Sequence, residues 1–376
     1  MFPQNNSRPH APTFVTPNFI DRLPISTALM PMQIQKQNPR CPKCNATFTV
    51  RKGKRRNRLQ TIPLFQCNEC QHRFTASPGR NKSYPLRHIF EALSLYNLGH
   101  SISETQRILR AKSHIDIPEG TIRSWLAEHR SFTTYARLRA AGQRLFQPSN
   151  VLRSFALLHQ QVYQFQVHRP KLQLLLQSPP HQHLAAVRGY LEGVNARFPH
   201  DLFLRTDHRS STFPATINPP ISRKENHATR LAALALPTSP TNTKRHETLQ
   251  RFMLINDSVT IAVEIPVYLT RADIAYFREG GFVLHFDSDV ITGHIDFLQI
   301  RNGYIHILDY KPEARKEKHA HVQLTIYALA LSRRANLPLK NFKCAWFDEY
   351  DYEFFPLQGV YTRRAETQKC VYQKSS

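Results

Sequence analysis

Residues 293–311, GHIDFLQIRNGYIHILDYK, leave little freedom in how they fold. Asn302-Gly303 is the pair that a two-residue type I′ hairpin turn favours, because both central positions need positive φ. Alternating apolar residues flank it on either side. With that turn, Arg301 faces Tyr304, Asp296 stands opposite Asp309, and His294 stands opposite Lys311. Directly opposed residues share a face, and Asp309 and Lys311, two apart on one strand, share it as well. A solvent-facing hairpin with surface Asp and Lys is the plainer reading. Phe297, Ile300, Ile305 and Ile307 speak against it, since they give the hairpin an apolar side to bury.

Two carboxylates held side by side repel, and an unpaired buried carboxylate is costly. A divalent cation between Asp296 and Asp309 resolves both problems, and the hard oxygen ligands favour Mg2+ or Mn2+. Lys311 is then close enough to polarise a water or a phosphate oxygen. After the hairpin, residues 316–334 take up a helical period that sets Gln323 and Tyr327 four apart on one face.

The ordered series Gly293-x-x-Asp296, Asp309-x-Lys311 and Gln323-x-x-x-Tyr327 resembles the core of the PD-(D/E)xK nuclease superfamily, in its RecB/Cas4-like branch, over about residues 245–345. The resemblance implies that Asp296 and Asp309, with the backbone carbonyl after Asp309, hold the catalytic metal. It implies that Lys311 assists the attacking water and that Gln323 and Tyr327 position DNA and the catalytic groups. An acidic or His residue upstream often joins such a site; Glu225, His227, His246 and Glu247 all qualify, and the sequence does not choose among them. Residues 259–269, VTIAVEIPVYL, read as a strand of period two with Glu264 on the opposite parity from Val263 and Ile265. Glu264 is a further candidate for holding DNA or metal, or for capping a sheet edge. Cys344 and Cys370 do not supply the cysteine set of a Cas4-type iron–sulfur centre, so none is expected.

The front of the chain carries a second chemistry. Cys41-x-x-Cys44 and Cys67-x-x-Cys70 are the two knuckles of a four-thiolate set, which structural Zn2+ prefers. Phe48, Val50, Phe65 and Phe74 offer the thin core that a metal-held ribbon needs. Between the knuckles, Arg51, Lys52, Lys54, Arg55, Arg56 and Arg58 put six cations in eight residues, a block suited to phosphate. Residues 84–130 then read as short amphipathic helices with Ile89, Leu93, Tyr96, Ile122, Trp125 and Leu126 inward. Gly99 is a stop, and Ser101 or Ser103 a cap. This is a helix-turn-helix pattern with Thr121, Arg123 and Ser124 near the front of the reading helix, although a small helical bundle without a DNA role has the same periods. The ribbon, the basic block and the run L-G-x-S-I-x-E-T-x-R…T-I-x-x-W-L resemble the front end of insertion-sequence transposases over roughly residues 41–130.

Charge agrees with a polyanionic partner: the net charge is +24, and residues 40–130 hold 17 Lys or Arg against 6 Asp or Glu. No run of 18 apolar residues occurs, so no spanning helix and no membrane partner are expected. The start of the chain lacks the build of a secretory signal, and the cysteine usage points to a reducing cytoplasm. In residues 131–236, Phe155, Leu158, Val162 and Phe165 recur at helical spacing. His159, His168, His181, His183 and His200 are spaced as scattered core or surface histidines rather than as a metal set.

The expected architecture is therefore multidomain. A flexible lead (1–39) precedes a zinc ribbon (40–82), a helix-turn-helix region (83–130) and a mostly helical connecting domain (131–236). An α/β PD-(D/E)xK core follows (237–355), with a mixed β-sheet flanked by helices, and then a basic tail (356–376). The expected function is a Mg2+- or Mn2+-dependent deoxyribonuclease, single- or double-stranded substrate unresolved, linked to a mobile element, phage, recombination or defence. A homodimer and a mobile-element or recombination partner protein are further expectations. The competing readings are a non-cleaving DNA-binding or assembly factor and an RNA-directed nuclease.

Overall fold

The computed structural model describes residues 38–56, 61–75, 83–131, 136–204, 209–212, 217, 219–281 and 289–357. Arg58, the lead up to residue 37 and the tail from 358 lie outside them. The chain divides into two compact units, one made of Met1–Lys52 with Phe65–Phe74 and the other of the remainder.

The cysteine-bearing part is a three-stranded sheet of β1 (Thr49–Arg56), β2 (Thr61–Cys67) and β3 (Arg73–Thr75), in that order. Its core is Cys41, Ala46, Phe65, Cys67 and Phe74. Phe48, expected inside, is 71% exposed, so the ribbon's apolar centre is smaller than the sequence implied. The basic block is not a loop. Arg51–Arg56 continue β1, with every side chain exposed.

After the ribbon strands the second unit holds α1 (Leu86–Asn97), α2 (Ile102–Ser113), α3 (Glu119–Glu128) and α4 (Ala136–Leu145). Ser101 and Glu104 close a capping box at the start of α2, which satisfies backbone N–H groups that the helix leaves open. Next come β4 (Leu152–His159), β5 (Gln161–His168), α5 (Arg169–Gln177), α6 (Ala186–Arg197), β6 (Ser222–Arg223), α7 (His227–Ala235) and α8 (Arg245–Asn256). The chain then runs through β7 (Thr260–Thr270), α9 (Arg271–Glu279), β8 (Val290–Arg301), β9 (Tyr304–Tyr310), α10 (Ala320–Ala335), β10 (Phe342–Phe347) and β11 (Tyr352–Pro356). Among the described residues no helix is long and apolar enough to cross a membrane.

One eight-stranded sheet organises this unit, in the order β4-β5-β7-β8-β9-β10-β11-β6. It is mixed: β9 and β10 run parallel, joined through α10, and the other named pairs are antiparallel. Side chains of α5, α6, α9 and α10 fill one face, and those of α1, α2, α3, α7 and α8 fill the other. The three N-terminal helices thus share a core with the sheet. Phe90 of α1 packs on Phe252 of α8 at 4.8 Å, and Asn97 donates to Asn256 at 2.8 Å.

Residues 152–168 correct the expectation of a mostly helical stretch. Phe155, Leu158, Val162 and Phe165 belong to a β-hairpin, which pairs with β7 and extends the sheet. The turn at Gln160, with φ +67°, reverses the chain without Gly or Pro. Leu158 and Val162 face each other across it in solvent, and spacing across a reversal imitates a helix. The Pro/Thr/Ser segment at 237–243 contains two short 3₁₀ turns, Leu236–Thr238 and Asn242–Lys244.

Lys171 of α5 is wholly buried, with its Nζ 2.6 Å from the Leu254 carbonyl and 3.4 Å from Asp257. Asp257 also accepts from the backbone N–H groups of Val259 and Thr260, which ties α8 to the start of β7. Removing one partner of a buried pair strands the other charge. Lys171→Ala is therefore expected to destabilise this unit by about 3–5 kcal/mol in chemical denaturation. A loss under about 1 kcal/mol, the range of exposed pairs, would contradict the buried pairing.

Candidate active site and metal centres

The β8–β9 hairpin has the register read from the sequence as far as Phe297↔Leu308, and His294 and Lys311, expected opposite each other, are not among its pairs. Arg301↔Tyr304 through Phe297↔Leu308 are paired, which brings Asp296 alongside Asp309. Asn302 and Gly303 both have positive φ, +51° and +77°, as a type I′ turn requires. Asp296 Oδ2 accepts from the Tyr310 backbone N–H at 3.1 Å, and Lys311 Nζ lies 2.8 Å from Asp309 Oδ2.

Beside this hairpin the alternation of the sheet breaks. On β7, Ala262 and Ile265 face the α10 layer while Val263 faces the other; on β8, Ile295 and Leu298 face α10 while Phe297 does not. Period-two reading put Val263 and Ile265 on one face, and the structure puts them on opposite faces. Glu264 has φ +53°, a left-handed conformation uncommon for a non-glycine residue. It lies between the pairs Val263↔Phe297 and Ile265↔Ile295, across from Asp296. The register is kept across this point, and the two residues between those pairs are both carboxylates.

Helices from both layers reach this break. From α8, His246 Nδ1 sits 3.3 Å from Asp296 Oδ2, and Gln250 donates to Glu264 Oε1 at 2.6 Å. From α10, Gln323 accepts from Lys311 Nζ at 3.1 Å and donates to the Tyr327 hydroxyl at 2.7 Å. A continuous chain therefore runs Asp309–Lys311–Gln323–Tyr327. Of the four upstream candidates, His246 is the one brought against the paired carboxylates. Glu225 is exposed and paired with Arg230, Glu247 is exposed, and His227 is not among the residues lining the cavity. Gln250 had no signal of its own in the sequence beyond lying four residues after His246 on one helix face.

Gly293 explains its own place in the pattern. A Cβ there would lie 2.3 Å from the Tyr327 ring and 2.6 Å from Ser210 Oγ, so the aromatic ring packs directly on the backbone. The glycine of Gly-x-x-Asp and the tyrosine of Gln-x-x-x-Tyr are thus two halves of one contact.

The charges are strongly coupled. Burial and the neighbouring Asp296 push the Asp309 carboxyl well above the usual range. Burial works the same way on Asp296, but His246, Asp309 and Lys311 outweigh it and hold that carboxyl at about 2. Burial and Asp296 lift Glu264 to about 7. Burial would lower the pKa of Lys311, and Asp309 more than reverses this. Asp309 Oδ2 is buried and has the Lys311 ammonium beside it but no well-directed hydrogen bond. Two adjacent buried carboxylates with an incompletely satisfied oxygen are a donor set that suits a hard divalent cation.

A cavity of about 290 Å³ opens onto Asp296, Glu264, His246, Gln323 and Tyr327. Its outer wall includes Gln160, Gln161, Tyr163 and Arg209. Here two of the histidines read as scattered come together. His159 Nδ1 meets His294 Nε2 at 2.8 Å, and His159 Nε2 meets His200 Nδ1 at 2.9 Å. His200 Nε2 abuts the Val194 carbonyl at 3.0 Å. A carbonyl only accepts, so with neutral rings the proton order is fixed outward from Val194 to His294. Burial first, and the neighbouring ring second, keep His159 and His294 uncharged, at about 4 and about 3. The Tyr163 ring stacks on His294 at 3.6 Å. The pairing of β4 with β5, invisible to a helical reading, is what delivers His159. His168 caps α5, and His181 and His183 contact the carbonyls of Leu175 and Gly303.

In the ribbon, the sulfurs of Cys41, Cys44, Cys67 and Cys70 all lie within 4.8 Å of one another. Cys41 and Cys70 stand 3.5 Å apart, as do Cys44 and Cys67. Tetrahedral zinc with Zn–S of about 2.3 Å needs sulfurs roughly 3.8 Å apart, so the group is compatible with that ion. Backbone N–H groups of Lys43 and Cys70 point at the sulfurs of Cys41 and Cys67. On α3, Arg123 and Ser124 are exposed and Thr121 is half-buried; Arg123 pairs with Glu119 at 3.1 Å.

The model of the PD-(D/E)XK nuclease superfamily matches residues 203–369. No curated protein and no solved structure matches the chain. The C-terminal mixed sheet with its flanking helices fits the core of that superfamily, whose members are metal-dependent nucleases. The sheet of this chain also includes β4 and β5, which precede the matched region.

Gly293→Ala forces a methyl group into the Tyr327 ring, and overpacking of this kind costs about 1–3 kcal/mol. Most of that cost is expected to vanish when the substitution is made in a Tyr327→Ala background, read as a double-mutant cycle by denaturation. Additive costs would show that the glycine acts elsewhere.

Proposed function

We propose that the protein is a divalent-metal-dependent deoxyribonuclease whose catalytic residues are Asp296, Asp309 and Lys311. The observation that carries this reading is the chain in which Lys311 is ion-paired to Asp309 and hydrogen-bonded to Gln323, which bonds Tyr327, beside Asp296. Asp296 and Asp309 would hold Mg2+ or Mn2+, with His246 beside Asp296 and Glu264 across from it. The ion supplies a lowered water pKa and a neutralised scissile phosphate. Lys311 then orients the attacking water and offers charge to the phosphate as negative charge develops on it. Gln323 holds the lysine, and Tyr327 holds Gln323.

The order Gly293, Asp296, Asp309, Lys311, Gln323, Tyr327 supports reading this site as one of the RecB/Cas4-like branch. A Zn2+-bound ribbon, with Cys41, Cys44, Cys67 and Cys70 as ligands, would carry the exposed cations of β1 to a DNA backbone. Phosphate contacts there hold without selecting sequence, and Thr121, Arg123 and Ser124 at the front of α3 would add contacts in a groove. This pairing of a transposase-like front end with a nuclease fits a mobile-element, recombination or defence setting. A homodimer would present two such sites to the two strands.

The test is cleavage of end-labelled single-stranded DNA, duplex DNA and RNA by wild type, Asp309→Ala and Lys311→Ala, with Mg2+, Mn2+ or EDTA. Metal-dependent DNA products are expected from wild type. Each variant should lose about 10²–10³-fold in rate while still shifting DNA in a gel. Cleavage by Asp309→Ala at the wild-type rate, or products that persist in EDTA, would contradict the assignment.

A further inference from the structure

At the turn end of the β8–β9 hairpin, away from the carboxylates, a second charged cluster crosses the sheet. Arg301 of β8 pairs with Tyr304 of β9, and Lys343 of β10 pairs with His306 of β9. Lys224, just past β6, donates its backbone N–H to Tyr352 of β11. His306 alternates with Ile305 and Ile307, so it shares a face with Leu308 and Tyr310, the face covered by α1, α7 and α8. None of these cations lines the catalytic cavity.

Three features separate this cluster from an ordinary solvated surface. Among the described residues, Arg301, Lys343 and Lys224 form no ion pair, although Arg301 and Lys343 both act on Lys224 and on His306. The two ammonium groups are fixed on aromatic rings: Lys343 Nζ lies 3.6 Å from the Tyr304 centroid and Lys224 Nζ 4.0 Å from that of Phe354. Like charges held together in this way repel, and the arrangement becomes favourable once an anion sits among them. The third feature is His306. Its ring is only 7% exposed, and Nε2 has no hydrogen-bond partner, which is costly for a buried polar atom.

We infer that Arg301, Lys343, Lys224 and His306 form a phosphate-group site separate from the catalytic centre. A phosphate brings several acceptor oxygens to this cluster, and two negative charges suit three cations better than a carboxylate does. Burial and the three cations keep the free imidazole neutral, and an anion beside it would let the ring take up a proton and donate from Nε2. The phosphate could belong to a nucleic-acid backbone or to a small phosphorylated ligand, and the chemistry at the site is the same for both.

The site needs no cleavage to be tested. Thermal unfolding of the full chain would be followed in inorganic phosphate and in chloride at equal ionic strength, for wild type, Lys224→Gln/Arg301→Gln/Lys343→Gln and His306→Phe. Phosphate should raise the wild-type Tm above its value in chloride, and the triple variant should lose that difference while remaining folded in chloride. If the triple variant does not fold, Lys343→Gln alone should reduce the difference. Oligonucleotide binding across a salt series then identifies the source. A slope of log K against log salt that falls by about 2–3 in the triple variant marks a nucleic-acid backbone. An unchanged slope beside a lost phosphate response marks a small ligand. Equal phosphate responses and equal slopes in wild type and variants would overturn the site. Because the readouts are Tm and binding, failure here leaves the nuclease reading untouched, and failure of the nuclease reading leaves this one standing.

Discussion

Two carboxylates forced into contact by strand register are what the rest of this site answers to. Asp296 and Asp309 are adjacent because a type I′ turn fixes the β8–β9 pairing, and a slip by one residue would move every apolar side chain of the hairpin to the wrong face. The pair cannot relax apart without unpacking the sheet. Its repulsion is instead distributed to His246, Lys311 and a backbone N–H, and the Asp309 oxygen beside Lys311 still lacks a well-directed hydrogen bond. The two pKa values move in opposite directions for this reason, as expected of like charges that share a site.

The left-handed backbone of β7 at Glu264 is a second feature on which the site depends. Regular alternation would send Glu264 and its neighbours alternately to separate layers. The left-handed Glu264 stands opposite Asp296, where side chains of α8 meet both carboxylates. Strained backbone of this kind persists only where surrounding structure determines it, and it gathers at functional sites. Here the surroundings are α8 on one side and α10 on the other. Gly293 allows the closest of these contacts, with Tyr327.

Much of this was legible in the sequence, and the reasons are local. A turn dipeptide with obligatory φ values, period-two flanks and an i, i+4 pair on a helix are all encoded within a few residues, so the placing of Asp296, Asp309, Lys311, Gln323 and Tyr327 could be read directly. The failures share a cause in long-range pairing. Residues 152–168 imitate a helix because a reversal at Gln160 hides the strand period, and their membership of the sheet depends on β7, about a hundred residues on. His159 therefore appeared isolated when it in fact meets His294 and His200. His246 could be shortlisted but not chosen, since its proximity to Asp296 depends on how α8 packs. The orientation of Glu264 rests on a backbone exception that no propensity announces.

Metal binding at the paired carboxylates tests the account most directly. Zinc-loaded wild-type protein would be titrated with Mn2+ by calorimetry, beside an Asp296→Asn/Asp309→Asn variant that keeps the side-chain shapes and removes the charges. One Mn2+ site in wild type that disappears in the variant is the predicted result. No Mn2+ binding by wild type, or equal binding by both proteins, would contradict the claim that this carboxylate pair is built to hold a divalent ion.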